Sequence, residues 1–353
     1  MRSERTERNR RMRPDILPQL VNGPEGDPAV YANFKYERRA ILFDMGSLHA
    51  LSARSLLKLT HVFISHTHVD HFIGFDQVLR LHLGRGKTLS LYGPPGFADH
   101  VEAKLRGYSW NLVENYPYDF RLSAYEVGEG TLQAASFACR ERFARTPLDP
   151  LEPLSGNTVI LDEPGLRVSA ILLEHDIPCL AFALEEKQHI NVDKVRLEAL
   201  GLQVGPWIRQ LKDAVMNGVP ETSRICIPAP EQGGAAKEMS LGALRDEIVR
   251  VSRGQKIAYV TDAAYSDVNV ERIVRLVRDA DVLFCEAAFS EEDRTRADER
   301  RHLTAHQAGS IARKAGVRRL VPFHFSPKYH GRIEDLYEEA SRAFGREVLS
   351  WRA

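Results

Sequence analysis

The sequence predicts an α/β fold carrying an inserted arm, and three observations lead there. Apolar runs of strand length alternate with amphipathic stretches of helical period along most of the chain. Several of those runs end on a histidine or an aspartate. One stretch, residues 187–230, interrupts the rhythm with a polar, helical texture broken at Gly205-Pro206.

Taken in order, Ala40 to Met45 (AILFDM) reads as a buried strand that closes on an aspartate and a glycine. His61 to Ser65 is a second apolar run, followed at once by HTHVDH and then by FIGFDQVLRLHL, whose apolar spacing fits a helix. Thr88 to Tyr92 is a short strand closed by the turn GPPG. Leu166 to Leu173 and Cys179 to Leu184 are further strands. After the polar stretch the alternation returns: KIAYVTD, DVLFCEAAF and RRLVPFHF as strands, VNVERIVRLVRDA and TAHQAGSIARKAG as helices. The domain plan is a basic, solvated leader over residues 1–30 and one α/β domain over 31–353, with the arm inserted at about 187–230.

Bulk properties narrow the setting. The 353 residues carry 48 basic and 48 acidic side chains, so no global field draws polyanions, and any attraction to nucleic acid must come from local patches. A chain of this length, 43% hydrophobic, buries a large core without disulfides. Cys139, Cys179, Cys226 and Cys285 are widely spaced and form no C-x-x-C pair, the pattern of reduced thiols in a cytosolic protein. No apolar run approaches the roughly 20 residues of a membrane helix. The opening MRSERTERNRRMRP has six arginines against two glutamates and no apolar centre, unlike a secretory signal.

The chemistry concentrates in His66-Thr67-His68-Val69-Asp70-His71. Four ligand-type side chains within six positions, directly after a buried strand, converge on metal. Imidazole and carboxylate together suit zinc best, with manganese or iron tolerated. One motif does not complete two metal sites, so further ligands are expected at later strand ends. His175, Asp262 and His324 each terminate an apolar run and fill that expectation. His82, His100, His189 and His330 lack this setting and read as surface or packing residues.

HTHVDH matches the H-x-H-x-D-H signature of the metallo-β-lactamase superfamily. An ordered set of further segments resembles the ribonuclease Z branch, the tRNA 3′-end processing endonucleases. These are LFDMG, LEHDIPCLAFAL, AYVTDAAY, FCEAAF, RHLTAHQAG and PFHFSPKY, with EALGLQVGPWIRQLK similar to the family's protruding arm. Together they run from about Ala40 to Tyr329. The resemblance implies an αββα sandwich with two zinc ions that share an attacking hydroxide. His66, His68 and His175 would hold one ion, Asp70, His71 and His324 the other, and Asp262 would bridge both. Asp44 would fix a ligand histidine, and Asp70 would also orient the attacking group. His302, oriented by Glu286, would protonate the leaving oxygen or stabilise the phosphate charge. Ser326 and Lys328 would meet substrate phosphate, Gly205 and Pro206 would belong to the tRNA-binding arm, and the enzyme would be a homodimer acting on precursor tRNA.

Departures from the family pattern bear on substrate rather than on metal. VNGPEGDPAVYANFKYERR replaces the family's opening glycine-threonine segment, and Gly46-Ser47-Leu48-His49 replaces Gly-Glu-Gly-Thr. Cys285 stands for a histidine, Ala288 for a threonine, and Lys328 for an arginine that can grip phosphate with two parallel bonds. The alternative is therefore a hydrolase of the same fold acting on another small phosphodiester, a lactone or a thioester. A non-catalytic RNA-binding relative is expected to have lost metal ligands, and here all seven are present.

Overall fold

The structure is a computed structural model that describes residues 15–149, 159–229 and 236–350. The chain forms two compact units. Described residues up to Ile160, with Ser169–Ala183 and the chain from Ile257 onward, make the first; residues 161–168 and 184–256 make the second.

In the first unit, β1 (Ile16–Leu20), β2 (Val30–Phe34), β3 (Ala40–Phe43), β4 (Leu59–Phe63), β5 (Thr88–Gly93), β6 (Arg121–Val127), β7 (Leu132–Ala138) and β8 (Arg145–Pro147) form one sheet in chain order. Strands β3 to β6 run parallel, while β1/β2, β2/β3, β6/β7 and β7/β8 are antiparallel. All four residues of β3 are buried, as a parallel strand covered on both faces requires. Next come β9 (Val159–Asp162), β10 (Leu166–His175) and β11 (Ile177–Glu186). The second unit contributes β12 (Gln188–Val192), β13 (Arg224–Ile227), β14 (Lys237–Ser240) and β15 (Val249–Arg253), before β16 (Lys256–Val260), β17 (Val282–Glu286) and β18 (Leu320–Phe323). A six-stranded sheet has the order β18-β17-β16-β11-β10-β9, with β16, β17 and β18 parallel.

Aromatic side chains fill the layer between the two sheets. The Phe43 ring lies 5.6 Å from Phe63, 5.9 Å from Phe182 and 5.7 Å from Tyr259. Each such ring removes a large apolar area from water and prefers this offset or tilted contact. The helices Phe75–His82 and Phe97–Arg106 cover the outer face of the first sheet through Phe75, Val78, Leu79, Phe97, Val101 and Leu105. Asp267–Val277, Ala305–Lys314 and Ile333–Phe344 cover the other sheet through Ile273, Val277, Ile311, Leu336 and Phe344. The result is the αββα sandwich expected above. Parallel strands point their C-terminal ends the same way, which is why the strand-end histidines and aspartates meet.

The second unit has a core of its own. Strand β12 pairs with β15, β13 with β14, and Trp207, Leu211, Leu244 and Ile248 are buried together. Its extent differs from the arm expected at 187–230, because the strand that closes on β12 comes from beyond Pro230, too far for local texture to reveal. The leader expected over 1–30 also contracts. Ile16 is 2% exposed and the strand from Ile16 to Leu20 pairs with β2. The arginine-rich residues 1–14 lie outside the described residues.

Gly309 lies where the helices Ala305–Lys314 and Ile333–Phe344 touch. A Cβ there would stand 2.4 Å from the Ala340 carbonyl oxygen and 2.8 Å from the Ala343 Cβ. Alanine normally favours a helix interior by about 1 kcal/mol over glycine, but forcing two backbones apart costs about 1–3 kcal/mol. Gly309→Ala is therefore expected to lower stability in a denaturant titration; a rise in the midpoint would show that this contact yields freely.

Candidate metal centre

Asp44 follows β3 and is fully buried, so its charge must be met by donors. The Ser65 amide donates to Oδ1 at 2.6 Å, and the Ser65 and Tyr259 hydroxyls donate to Oδ2 at 2.8 and 2.7 Å. Nδ1 of His71 lies 2.8 Å from the same Oδ2, which fixes that ring with Nε2 turned to the site. His175 is oriented the same way by the Arg301 carbonyl oxygen, 2.8 Å from its Nδ1. The loop after β3 lies directly against the histidine segment: the Met45 amide donates to the His71 carbonyl, and the Gly74 amide to that of Met45. Gly46 permits this approach, since a Cβ there would lie 2.6 Å from the Asp70 carbonyl oxygen.

Seven side chains expected as metal ligands come together. His66, His68, His175 and Asp262 bring ligand atoms within 4.8 Å of one another, and so do Asp70, His71 and His324. Asp262 Oδ2 is central: it lies 3.6 Å from Nε2 of His66, and 3.5 Å from Nε2 of both His71 and His175. Its Oδ1 is 3.0 Å from Nδ1 of His324. Ligands bound at about 2.1 Å to one tetrahedral ion stand about 3.4 Å apart, so these separations suit a shared cation. Nε2 of His66 and of His71 are buried without a hydrogen-bond partner, a costly condition that a metal ion relieves. Burial, and then the neighbouring His71, lower the His66 pKa to about 2, leaving a neutral imidazole with a lone pair to give. At Asp70 burial acts upward, but the His324 hydrogen bond and the His71 charge bring the carboxyl down to about 2. The donor set fits divalent metal.

Backbone geometry shows where this convergence is paid for. Asp44, Asp262 and His324 have φ values of 55°, 46° and 62°. Left-handed backbone at non-glycine residues is uncommon, and its clustering marks functional sites. Each of the three sits at the end of a strand and turns its side chain into the site from that position.

Beside the ligands, Nδ1 of His302 lies 2.7 Å from Glu286 Oε2, and the Ala263 amide holds Oε1 of Glu286 at 2.6 Å. Burial acts against the His302 imidazolium, but the Glu286 carboxylate outweighs it, and the His302 pKa is raised. His302, His324, Asp70 and Ser326 line one cleft. Lys328 takes another course: its Nζ lies 2.6 Å from both carboxylate oxygens of Asp293, so its charge is already engaged. Gly205 and Pro206 stand at the start of the helix Trp207–Met216, and Trp207 is 3% exposed in the core of the second unit. Sequence reading missed Ser65, Tyr259 and the Arg301 carbonyl. A tyrosine among the apolar residues Ile257 to Val260 was the one signal, since a buried phenol needs a partner.

Two ligand clusters sharing one aspartate at the edge of an αββα sandwich define a metal-dependent hydrolase of the metallo-β-lactamase fold. The beta-lactamase superfamily domain matches residues 226–325. The metallo-beta-lactamase fold protein YhfI from Bacillus subtilis superposes with a TM-score of 0.53 at 16% identity, over 95% of each chain. The human tRNase Z, short form, does so with a TM-score of 0.50 at 18% identity, over 89% of this chain and 94% of that one. Ribonuclease Z of Deinococcus radiodurans is 30% identical over 292 residues, 82% of this chain and 83% of that protein. The chain belongs to the ribonuclease Z family.

Asp44→Asn retains the size of the side chain but loses the charge that holds His71 in place. Metal affinity, measured by competition with a chelating dye, is expected to fall about 10- to 100-fold. Unchanged affinity would mean that His71 needs no such support.

Proposed function

We propose that this chain is an endoribonuclease that cleaves precursor tRNA at its 3′ end, acting in the cytoplasm as a homodimer with two zinc ions. The observation that carries this reading is the His302–Glu286 pair set beside the shared-aspartate ligand cluster, since phosphodiester cleavage calls for an acid at the leaving oxygen. Family membership and the substrate named for the human tRNase Z support the choice of tRNA.

His66, His68 and His175 would hold one ion, Asp70, His71 and His324 the other, with Asp262 between them. The donor set also accommodates manganese or iron. When bound, the ions supply Lewis-acid stabilisation of the phosphoryl oxygens and lower the pKa of water. Asp70, its carboxylate ionised, orients the attacking group by accepting its hydrogen bond. Glu286 keeps His302 turned so that Nε2 faces the cleft, and His302 delivers its proton to the departing oxygen. Ser326 donates its hydroxyl to substrate phosphate. Gly205 and Pro206 open a helix of the second unit, which would present the body of the tRNA.

Purified protein loaded with zinc is expected to cut precursor tRNA at its 3′ side, and His68→Ala to lose about 100-fold or more of that activity. Turnover of bis(p-nitrophenyl) phosphate without tRNA cleavage would remove tRNA as the substrate and leave the hydrolase. Glu286→Gln tests the acid. Removing the carboxylate lowers the His302 pKa, so the protonated form is lost at lower pH and the alkaline limb of the kcat profile moves down. A profile that keeps its alkaline limb in place would sink the assignment of His302 as the acid.

A further inference from the structure

Along the helix Arg294–Arg300, Arg296 and Arg300 line the same cleft as His302 and His324. The cleft has a volume of about 420 Å³, and sites of roughly 300–1,000 Å³ take small organic ligands. Four positions apart on a helix, the two side chains leave the same face. Ala297 turns the other way into the core.

Several neighbouring charges are held in ion pairs of their own, and among the described residues neither arginine is. Arg294 meets Glu291 at 3.2 Å and Arg301 meets Asp176 at 3.1 Å. Asp293 is engaged by Lys328 and by the Tyr329 hydroxyl. Among the described residues neither Arg296 nor Arg300 makes an ion pair; Arg296 lies over the Phe289 ring, 5.9 Å from its centroid. The Arg296 charge contributes less than Lys328 and Tyr329 to holding Asp293 below the usual carboxylate range. Phe289 is 5% exposed, so it is a fixed platform that directs the guanidinium without neutralising it. On the facing wall Glu25 lies 3.0 Å from His330 and Asp27 accepts from the Ser47 amide at 3.0 Å. Two unpaired guanidinium groups beside a metal centre are built for an anion, and their planar forks match phosphate oxygens.

We propose that Arg296 and Arg300 form a phosphate subsite that receives the phosphodiester adjoining the one held at the metal centre. The natural ligand rests on the reading of the chain as an RNA-cleaving enzyme. Chemically, the subsite recognises any second phosphate on a nucleotide whose first phosphate occupies the metal centre. It also replaces the contact expected of Lys328, whose charge Asp293 has taken.

The test is calorimetric titration of the zinc-loaded protein with adenosine 3′,5′-bisphosphate and with adenosine 5′-monophosphate. The wild type is expected to bind the bisphosphate about 10- to 100-fold more tightly. In Arg296→Ala/Arg300→Ala that preference should disappear while the monophosphate still binds, which distinguishes a lost subsite from a misfolded protein. Arg296→Lys/Arg300→Lys, conserving charge without the fork, should keep a fraction of the preference and carries the test if the alanine pair does not fold. A wild type with no preference, or a preference that survives both double variants, overturns the proposal. On precursor tRNA, the alanine pair should reduce the salt slope of log kcat/KM by about 0.7, the value for one single-strand phosphate contact; an unchanged slope counts against the subsite. If the wild type leaves tRNA uncut but prefers the bisphosphate through these arginines, the RNA substrate falls and the subsite stands.

Discussion

A carboxylate taken wholly out of water is stable only when donors replace the hydration it has lost, and at Asp44 those donors come from both sheets. Ser65 reaches it from the end of β4, in the same sheet, and Tyr259 from β16, in the other. His71 completes the set and is itself a ligand candidate. One buried charge thereby ties the faces of the sandwich together just beneath the metal centre. Shifting the sheets relative to one another would strand a charged group and a phenol in the interior, an expense of several kcal/mol against the usual few gained by relaxing a packing contact. Registry between the sheets, and with it the spacing of every strand-end ligand, follows from that requirement.

The same constraint explains the site's rigid floor and its more adaptable wall. Asp44, His66, His71 and Asp262 are essentially inaccessible to solvent and sit on strand ends or in a loop pinned by backbone hydrogen bonds. His302, His324 and Asp70 are partly accessible and border the cleft. Ligand positions on the floor have little freedom to change, because each also satisfies a buried neighbour.

Much of this was legible in the sequence because the chemistry dictates residue type and the sheet dictates position. HTHVDH, His175, Asp262 and His324 could be placed at strand ends from apolar runs alone, and the structure brings all of them together. Partners that act through the backbone could not be read in the same way. The Arg301 carbonyl that orients His175 could belong to any residue type, and it reaches across 126 positions of sequence. Strand β1, with its mixed ILPQL pattern, gave no clear period and became part of an expected leader. The second unit was legible as a change of texture but not in extent, since β12 finds its partner about sixty residues later, in β15. Trp207 lies in a polar stretch whose texture does not say whether an indole is exposed; with its Nε1 bonded to the Gln203 carbonyl, it serves in the core of the second unit.

Lys328 and the two cleft arginines together show why a residue-by-residue transfer of function can mislead even when the fold transfers intact. A lysine ammonium is a compact point charge that pairs readily with a nearby carboxylate, and Asp293 holds it with both oxygens. Its position in the motif is kept while its charge is spent locally. Arg296 and Arg300, outside any motif, make no ion pair among the described residues, while Asp293 is held by Lys328 and Glu25 by His330. What a phosphate approaching the cleft meets is the uncompensated charge, whichever element supplies it. With 48 basic and 48 acidic residues cancelling overall, such local imbalance is the only electrostatic guidance the molecule can offer a polyanion. The metal ligands therefore define the reaction, and the pairing pattern of the surrounding charges, more than their identity, defines what is guided to it.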